Sequence, residues 1–307
     1  MERSVAAVVM VEEADAWLWE SPLVLAATPI GNLADATDRL RRLIRSAEVI
    51  ACEDTRSTRH LIRALGEQTS ARLVSLHEHN EAARSAELVE QAGAGTRVLV
   101  VSDAGMPAVS DPGQRLVAAA VHAGVAVTAA PGASAVPTAL ALSGLATDRF
   151  CFAGFVPRKQ SDRRALLDRL GREEWTTVLF ESPHRIAATV AEFAEALGGH
   201  RRAAVARELT KRYEEVLRGD LDHLTQSLAE RQGGPGLKGE FVLLVAGVSG
   251  GDLQGQEPLT LQEAAQLVLE QAASGQRMKT AAKQIAAENR LNASGLYDAA
   301  NRLRRQQ

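Results

Sequence analysis

The charged residues that could do chemistry in this chain gather in short segments, each directly after an apolar run. Glu53-Asp-Thr-Arg56 follows Val49-Ile-Ala-Cys52, and His77-Glu-His-Asn-Glu81 follows Leu73-Val-Ser-Leu76. Asp103 and Asp111 follow Val98-Leu-Val-Val101. Glu181-Ser-Pro-His-Arg185 follows Thr176-Thr-Val-Leu-Phe180, and Arg207-Glu-Leu-Thr-Lys211 follows Ala203-Ala-Val-Ala206. Carboxylates, imidazoles and amines so placed can move protons, hold a charged ligand or pair with one another. Glycine and proline share these positions, in Pro29-Ile-Gly-Asn-Leu33, Ser102-Asp-Ala-Gly-Met-Pro107, Ser110-Asp-Pro-Gly113 and Pro131-Gly-Ala-Ser134. A glycine there permits a tight bend or a close backbone approach.

Two kinds of site are excluded. His77 and His79 fall on one face of a strand, but no third ligand accompanies them, so no metal is expected. The chain has no G-x-x-x-x-G-K-[ST], and no G-x-G-x-x-G after a strand. Single glycines suit a ligand with a carboxylate, an amine and an adenosine better than a pyrophosphate.

The elements that must position these loops alternate. The stretch from Val98 to Gly113 reads as a buried strand, then a loop, then a helix from Gln114. That unit places ligand groups at the carboxyl end of a parallel sheet. Residues 22–28, 49–52, 73–76 and 125–128 read as further strands, with an amphipathic helix over 35–44. A mostly parallel sheet covered on both faces follows. A second α/β region has strands over 150–155, 176–180, 203–206 and 240–245, a helix over 187–197 and a turn at 233–236. The organisation expected is a loose extension over 1–20, α/β domains over 21–132 and 133–248, a glycine-rich linker over 249–258 and a helical module over 259–307.

The 307 residues are 46% hydrophobic and carry a net charge of −3, so any polyanion contact must come from local basic patches. Two distant cysteines, Cys52 and Cys151, make no disulfide framework. No apolar run is long enough to span a membrane. Val5 to Val11 is apolar, but Glu12, Glu13 and Asp15 follow without a small-residue cleavage site, so no signal peptide is read there. A reduced, cytoplasmic protein is expected.

The loop motifs together resemble those of the tetrapyrrole methylase superfamily. They are Thr28-Pro-Ile-Gly-Asn-Leu33, Glu53-Asp-Thr-Arg56, His79-Asn-Glu81, the paired segments from Ser102 to Gly113, and Pro131-Gly-Ala-Ser134. Phe180-Glu-Ser-Pro-His-Arg185, Ala206-Arg-Glu-Leu-Thr-Lys211 and Gly239-Glu-Phe241 match in the same order. Within that superfamily the pattern is similar to the 16S ribosomal RNA (cytidine-2′-O)-methyltransferases. The resemblance covers roughly residues 22–248 and, more weakly, the C-terminal helices. It implies two α/β domains of the tetrapyrrole methylase type with a cleft between them, S-adenosyl-L-methionine in that cleft, and a homodimer. It also implies a cytidine in the decoding region of 16S rRNA, in the 30S subunit, as the methyl acceptor. The alternative within the superfamily is a small-molecule tetrapyrrole methylase.

Under that resemblance the loops acquire candidate roles. Asp103 can accept the amino group of the methionine moiety, or simply shape a turn. Ala104, Gly105 and Met106 can line the cofactor, as can Pro29 and Gly31. Pro131, Gly132 and Ser134 can approach the adenosine or cap the next helix. Glu181 and Ser182 shape the cleft from the second domain. A ribose hydroxyl is a poor nucleophile, so a base or a pKa-lowering cation should assist. Glu53, Asp54, Glu208 and Lys211 are the candidates, and the sequence does not choose among them. Arg56 and Arg207 bind RNA phosphate or hold these carboxylates in ion pairs.

Two basic segments oppose the small-molecule alternative, unless the first of them is only a solvated helix face. Arg158, Lys159, Arg163, Arg164, Arg169 and Arg172 face only Asp162 and Asp168 within their own stretch. From Gln276 to Gln307 seven basic residues, among them Lys279, Lys283 and Arg302, stand against two acidic ones. There Ala282, Ile285 and Ala286 form one apolar stripe, and Leu296, Ala299, Ala300 and Leu303 a second. Two short helices so arranged resemble a helix-turn-helix that grips RNA, or form a C-terminal helical cap with a solvated basic face.

Overall fold

The structure is a computed structural model that describes residues 18–77, 79–232, 237–248, 261–274, 276–288 and 292–304. The expected linker, the turn at 233–236 and nearly all of the expected N-terminal extension lie outside these residues. The chain forms two compact units. One contains residues up to 170 together with 175–246, and the other contains 171–174 and the residues from 247 onward.

The first unit holds both sheets. Strands β1 (Leu23–Ala26), β2 (Val49–Cys52), β3 (Arg72–Ser75), β4 (Val98–Val101) and β5 (Val127–Ala130) form a five-stranded sheet ordered β3-β2-β4-β1-β5. Every pairing in it is parallel. β1, β2 and β4 are buried at every residue, which explains their unbroken apolar runs. Helices α1 (Asp38–Ser46) and α2 (Thr55–Ala64) send Leu40, Leu43, Ile44 and Ile62 to one face. Helices α3 (Glu81–Gly93) and α4 (Gln114–His122) send Leu88, Val89, Leu116 and Ala120 to the other. α1 starts later than its apolar pattern suggests. Thr37 caps it by accepting from the Leu40 amide at 3.1 Å, and a short 3₁₀ turn (Leu33–Asp35) precedes it.

After α5 (Ala135–Ser143) comes the second sheet, of β6 (Phe150–Phe155), β7 (Thr176–Glu181), β8 (Arg202–Arg207), β9 (Glu215–Asp220) and β10 (Phe241–Val245). Its order is β6-β7-β10-β8-β9, and only β6–β7 is parallel. Helices α6 (Gln160–Leu170), α7 (Ile186–Leu197) and α8 (Leu221–Gln232) cover one face around Phe193, and α5 packs on the other with Val136, Ala139 and Leu140. The sequence reading has neither β9 nor α8. β9 is a half-buried edge strand with no apolar run, whereas α8 does carry a helical period in Leu221, Leu224 and Leu228, all buried.

The second unit is helical: α9 (Leu261–Ala273), α10 (Met278–Glu288) and α11 (Ala293–Arg304). They share a core of Ala264, Ala265, Val268, Ala281, Ala282, Ile285, Ala286, Leu296 and Ala300. Of the expected stripes, Ala299 and Leu303 are only partly buried against it.

Candidate functional site

β1 and β4 are hydrogen-bonded neighbours, yet the helices that follow them lie on opposite faces of the sheet. Such a divergence opens a crevice at the carboxyl ends of the strands. The two loops are tied across it: the Thr28 amide donates to the Gly105 carbonyl at 2.9 Å, and the Gly105 amide donates back at 3.1 Å. Gly105 has φ +86°, and a Cβ there would sit 3.3 Å from Ile30 Cγ2, so the bridge favours glycine.

The second sheet brings its own loops. At the end of β7, Glu181 is 4% exposed, accepts from the Ser182 amide and the Thr189 hydroxyl, both at 2.7 Å, and pairs with Arg185 at 3.0 Å. After β8, Glu208 and Thr210 have φ +50° and +67°, an uncommon conformation for non-glycine residues. Lys211 Nζ there lies 2.8 Å from Glu208 and 3.0 Å from Glu240. Burial pushes the Glu208 carboxyl up, but hydrogen bonds from Lys211 and the Glu240 amide outweigh it and leave it below its ordinary value. Burial opposes the charge on Lys211, and the two carboxylates overcome that and raise it. Glu208 and Lys211 are thus a charged brace at neutral pH.

Loops from both sheets converge on one cavity of about 320 Å³, near the lower end of ligand-binding sizes. Of the residues proposed from sequence to hold a cofactor, Ala104, Gly105, Met106, Ser134, Glu181 and Ser182 line it. Pro29, Gly31, Asp103, Pro131 and Gly132 are not in the lining, though each adjoins a lining segment in sequence. Ile30, Met106, Val136, Phe180 and Leu209 make much of the wall apolar. Asp111, Phe155 and Glu240 also line it and were not proposed as site residues from sequence. Asp111 and Glu240 do stand inside quoted motifs; Phe155 has no such signal.

The proposed catalytic residues lie outside the lining. Asp54 caps α2, accepting from the Arg56 amide at 2.7 Å. The Arg56 side chain, hydrogen-bonded to Asp54, holds that carboxyl below its ordinary value. The Asp54 amide in turn faces Asp103 Oδ1 at 3.4 Å. Partial burial, then the charge on Asp103, push the Glu53 carboxyl up, while His77 opposes them.

The basic residues divide by their partners. Arg158, Lys159 and Arg164 are exposed, Lys159 lying 3.8 Å from Asp162. Arg163 is committed: its Nε is 2.7 Å from Glu192 on α7, and its Nη1 donates to the Arg158 carbonyl at 3.1 Å. Arg56 is paired with Asp54 but leaves 87% of its side chain in solvent. Arg172 is exposed in the second unit, as are Lys279, Lys283 and Arg302. His77 and His79 meet edge to face at 6.0 Å, and among the described residues no group of three or more ligating side chains could hold a metal. No helix among the described residues is long and apolar enough to cross a membrane.

Comparison with known proteins gives this geometry a context. Residues 22–225 match the family model of tetrapyrrole (corrin/porphyrin) methylases. The ribosomal RNA small subunit methyltransferase I of Mycobacterium tuberculosis is 46% identical over 285 residues, spanning 92% of this chain and 96% of that protein. Its namesake in Synechocystis is 41% identical, over 90% and 95% of the two chains. Among solved structures, a conserved hypothetical protein of Aeropyrum pernix K1 superposes with a TM-score of 0.55 at 22% identity, covering 76% of this chain and 88% of that one. A diphthine synthase does so with a TM-score of 0.53 at 19% identity, over 73% and 89%. These two share the fold.

Proposed function

Because the chain belongs to the tetrapyrrole methylase family and, within it, to the ribosomal RNA small subunit methyltransferases I, we propose that it transfers the methyl group of S-adenosyl-L-methionine to the 2′ hydroxyl of a cytidine in the decoding region of 16S rRNA. It acts on the 30S subunit, in the cytoplasm, as a homodimer.

One observation carries the reading: the motif loops after β1, β4, β5, β7 and β8 and before β10 each contribute to one cavity. The cavity suits the methyl donor. Ile30, Met106, Val136, Phe180 and Leu209 offer an apolar wall to adenine and the thioether carbons, and Ala104, Met106 and Ser134 line it beside them. Asp103 and Glu53 lie outside the lining but act on Asp111 within it, and the negative charge they add complements an ammonium and a sulfonium. We assign the donor to Pro29, Gly31, Asp103–Met106, Pro131, Gly132 and Ser134 from the first sheet, and to Glu181 and Ser182 from the second.

Bound there, S-adenosylmethionine supplies a methyl group already activated by its positive sulfur. The chain's task is alignment: holding the ribose oxygen in line with that carbon supplies about 7–11 kcal/mol. The apolar wall keeps water away. The Lys211 brace fixes the loop after β8 against Gly31, so the two sides of the site keep one spacing. Arg158, Lys159, Arg164 and Arg56, with Lys279, Lys283 and Arg302 of the helical unit, are the side chains assigned to RNA phosphates.

The test offers radiolabelled S-adenosylmethionine to the protein with 30S subunits or with a porphyrinoid acceptor. Label in 16S rRNA alone is expected. Label in the porphyrinoid alone makes the protein a small-molecule methylase and overturns the proposal.

A further inference from the structure

Three carboxylates line the cavity, and two are already engaged. Glu181 is held by Ser182, Thr189 and Arg185, and Glu240 by Lys211. The third is Asp111. The groups that act on it are the Ser102 hydroxyl and the like charges of Glu53 and Asp103; no cation among the described residues is one of them.

The backbone around Asp111 is unusual and firmly anchored. Ala108 and Ser110 have φ +68° and +62°, conformations that non-glycine residues keep only where the surroundings over-determine them. The loop closes on itself where the Ala108 amide donates to the Pro112 carbonyl at 3.3 Å. Glu81, 7% exposed on α3, clamps its end by accepting from the amides of Gly113 at 2.8 Å and Arg115 at 3.0 Å.

Beside this loop lies a second feature. A Cβ on Gly154 would stand 3.9 Å from Ser110 Oγ, so β6 runs past the Asp111 loop. There the register of β6 on β7 shifts between Phe152 and Phe155. Bulges beside sites re-aim side chains, and Phe155 lines the cavity with 62% of its surface exposed, its ring edge-on to Phe180 at 5.4 Å. An exposed ring at a nucleic-acid site stacks a splayed-out base. Gly154, the residue of β6 beside Ser110, directly precedes Phe155, so the exposed ring and the Asp111 loop are neighbours in the same lining.

We infer that Asp111 is the general base of the methyl transfer, taking the proton of the target 2′ hydroxyl while Phe155 stacks the nucleobase. This rests on the function proposed above. The O2′–H bond breaks and its proton goes to the Asp111 carboxylate. The freed electron pair forms the O–CH₃ bond, and the S–CH₃ bond breaks with its electrons left on sulfur. A carboxylate and a sulfonium become a neutral acid and a neutral thioether, so charge balances without a metal or further reactant, and the proton leaves to water. Burial pushes the Asp111 carboxyl up from 3.8 to about 6, the nearby Ser102 hydroxyl opposing and Glu53 and Asp103 adding to it. That suits a base working near neutral pH.

The experiment compares the full-length protein with Asp111→Asn and Asp111→Glu on 30S subunits, with donor affinity measured by calorimetry. Asp111→Asn should lower kcat roughly 10²–10⁴-fold, with donor Kd and KM for 30S changed less than about threefold. The limb of kcat/KM that rises through about pH 6 in the parent protein should vanish in Asp111→Asn, and Asp111→Glu should restore part of the rate. Phe155→Ala should instead raise KM for 30S. Unchanged kcat in Asp111→Asn, or loss of donor affinity with kcat intact at saturation, would overturn the assignment. If the parent protein moves no methyl to 30S, the proposed function fails, a result separable from any variant's behaviour.

Discussion

Gly31 and Lys211 occupy one space. A Cβ on Gly31 would fall 2.5 Å from Cε and 2.9 Å from Cδ of Lys211, so the lysine stem lies across a residue without a side chain. Gly31 belongs to the loop after β1 and Lys211 to the loop after β8, so the contact joins the two sheets at their loop ends. The same lysine closes on Glu208 and Glu240, which fixes its stem.

Gly31→Ala should therefore do more than strain a backbone at φ +142°. It should push Lys211 off its carboxylates, lower stability by about 1–3 kcal/mol, and weaken donor binding. Thermal denaturation and calorimetry check both effects. Full donor affinity in a destabilised variant would restrict the contact to structure.

Asp103→Ala should weaken S-adenosylmethionine binding by roughly 10- to 100-fold, the loss of one charge-assisted contact, without unfolding the protein. Asp103 is exposed and, among the described residues, accepts a single long bond of 3.4 Å from the Asp54 amide, so the fold has little need of it. Unchanged affinity would remove Asp103 from the site.

Asp111 carries a cost in stability. Its folded pKa is raised, from 3.8 to about 6, so its contribution is complete below about pH 4 and is lost as pH rises through 6. Asp111→Asn should accordingly melt higher than the parent protein at pH 7.5, and the gap should close by pH 4. Equal melting temperatures at both pH values would contradict the strained, desolvated acid described here.

Arg163 and Arg164 look alike in sequence and differ in the fold. Arg163 is 21% exposed at its side chain and bound to Glu192, whereas Arg164 is exposed. Arg163→Glu should destabilise the second sheet's helical cover. Arg164→Glu should leave melting unchanged and raise KM for 30S, with binding that falls steeply in salt. Salt-insensitive substrate binding would make the segment a solvated surface.

Removing the residues after 256 should leave donor binding intact and weaken methylation of 30S. Those residues carry α9–α11, whose core is their own. Full activity without them would deny the helical unit a part in gripping RNA.

What the sequence revealed follows from physics. β4 and α4 were legible to the residue, because a fully buried parallel strand is a pure apolar run and a glycine marks the helix start. β5 was placed two residues early, since Val125 is apolar but packs in the turn before the strand. β9 was invisible because an edge strand alternates weakly. In the site, the glycine loops were legible as motifs and Asp111 as a member of one, but neither its place in the cavity nor that of Phe155 was. Phe155 lines the cavity just past a shift of register that the sequence does not announce, and Glu192, which occupies Arg163, lies 29 residues away.

The most direct measurement digests 16S rRNA, after reaction of 30S subunits with the protein and S-adenosylmethionine, and identifies the methylated nucleoside by mass spectrometry. A methyl group on the ribose of one decoding-region cytidine, which blocks alkaline cleavage at that position, is the result expected. A methyl group on a base, or an unmodified 16S rRNA beside a protein that binds the donor, would contradict the account.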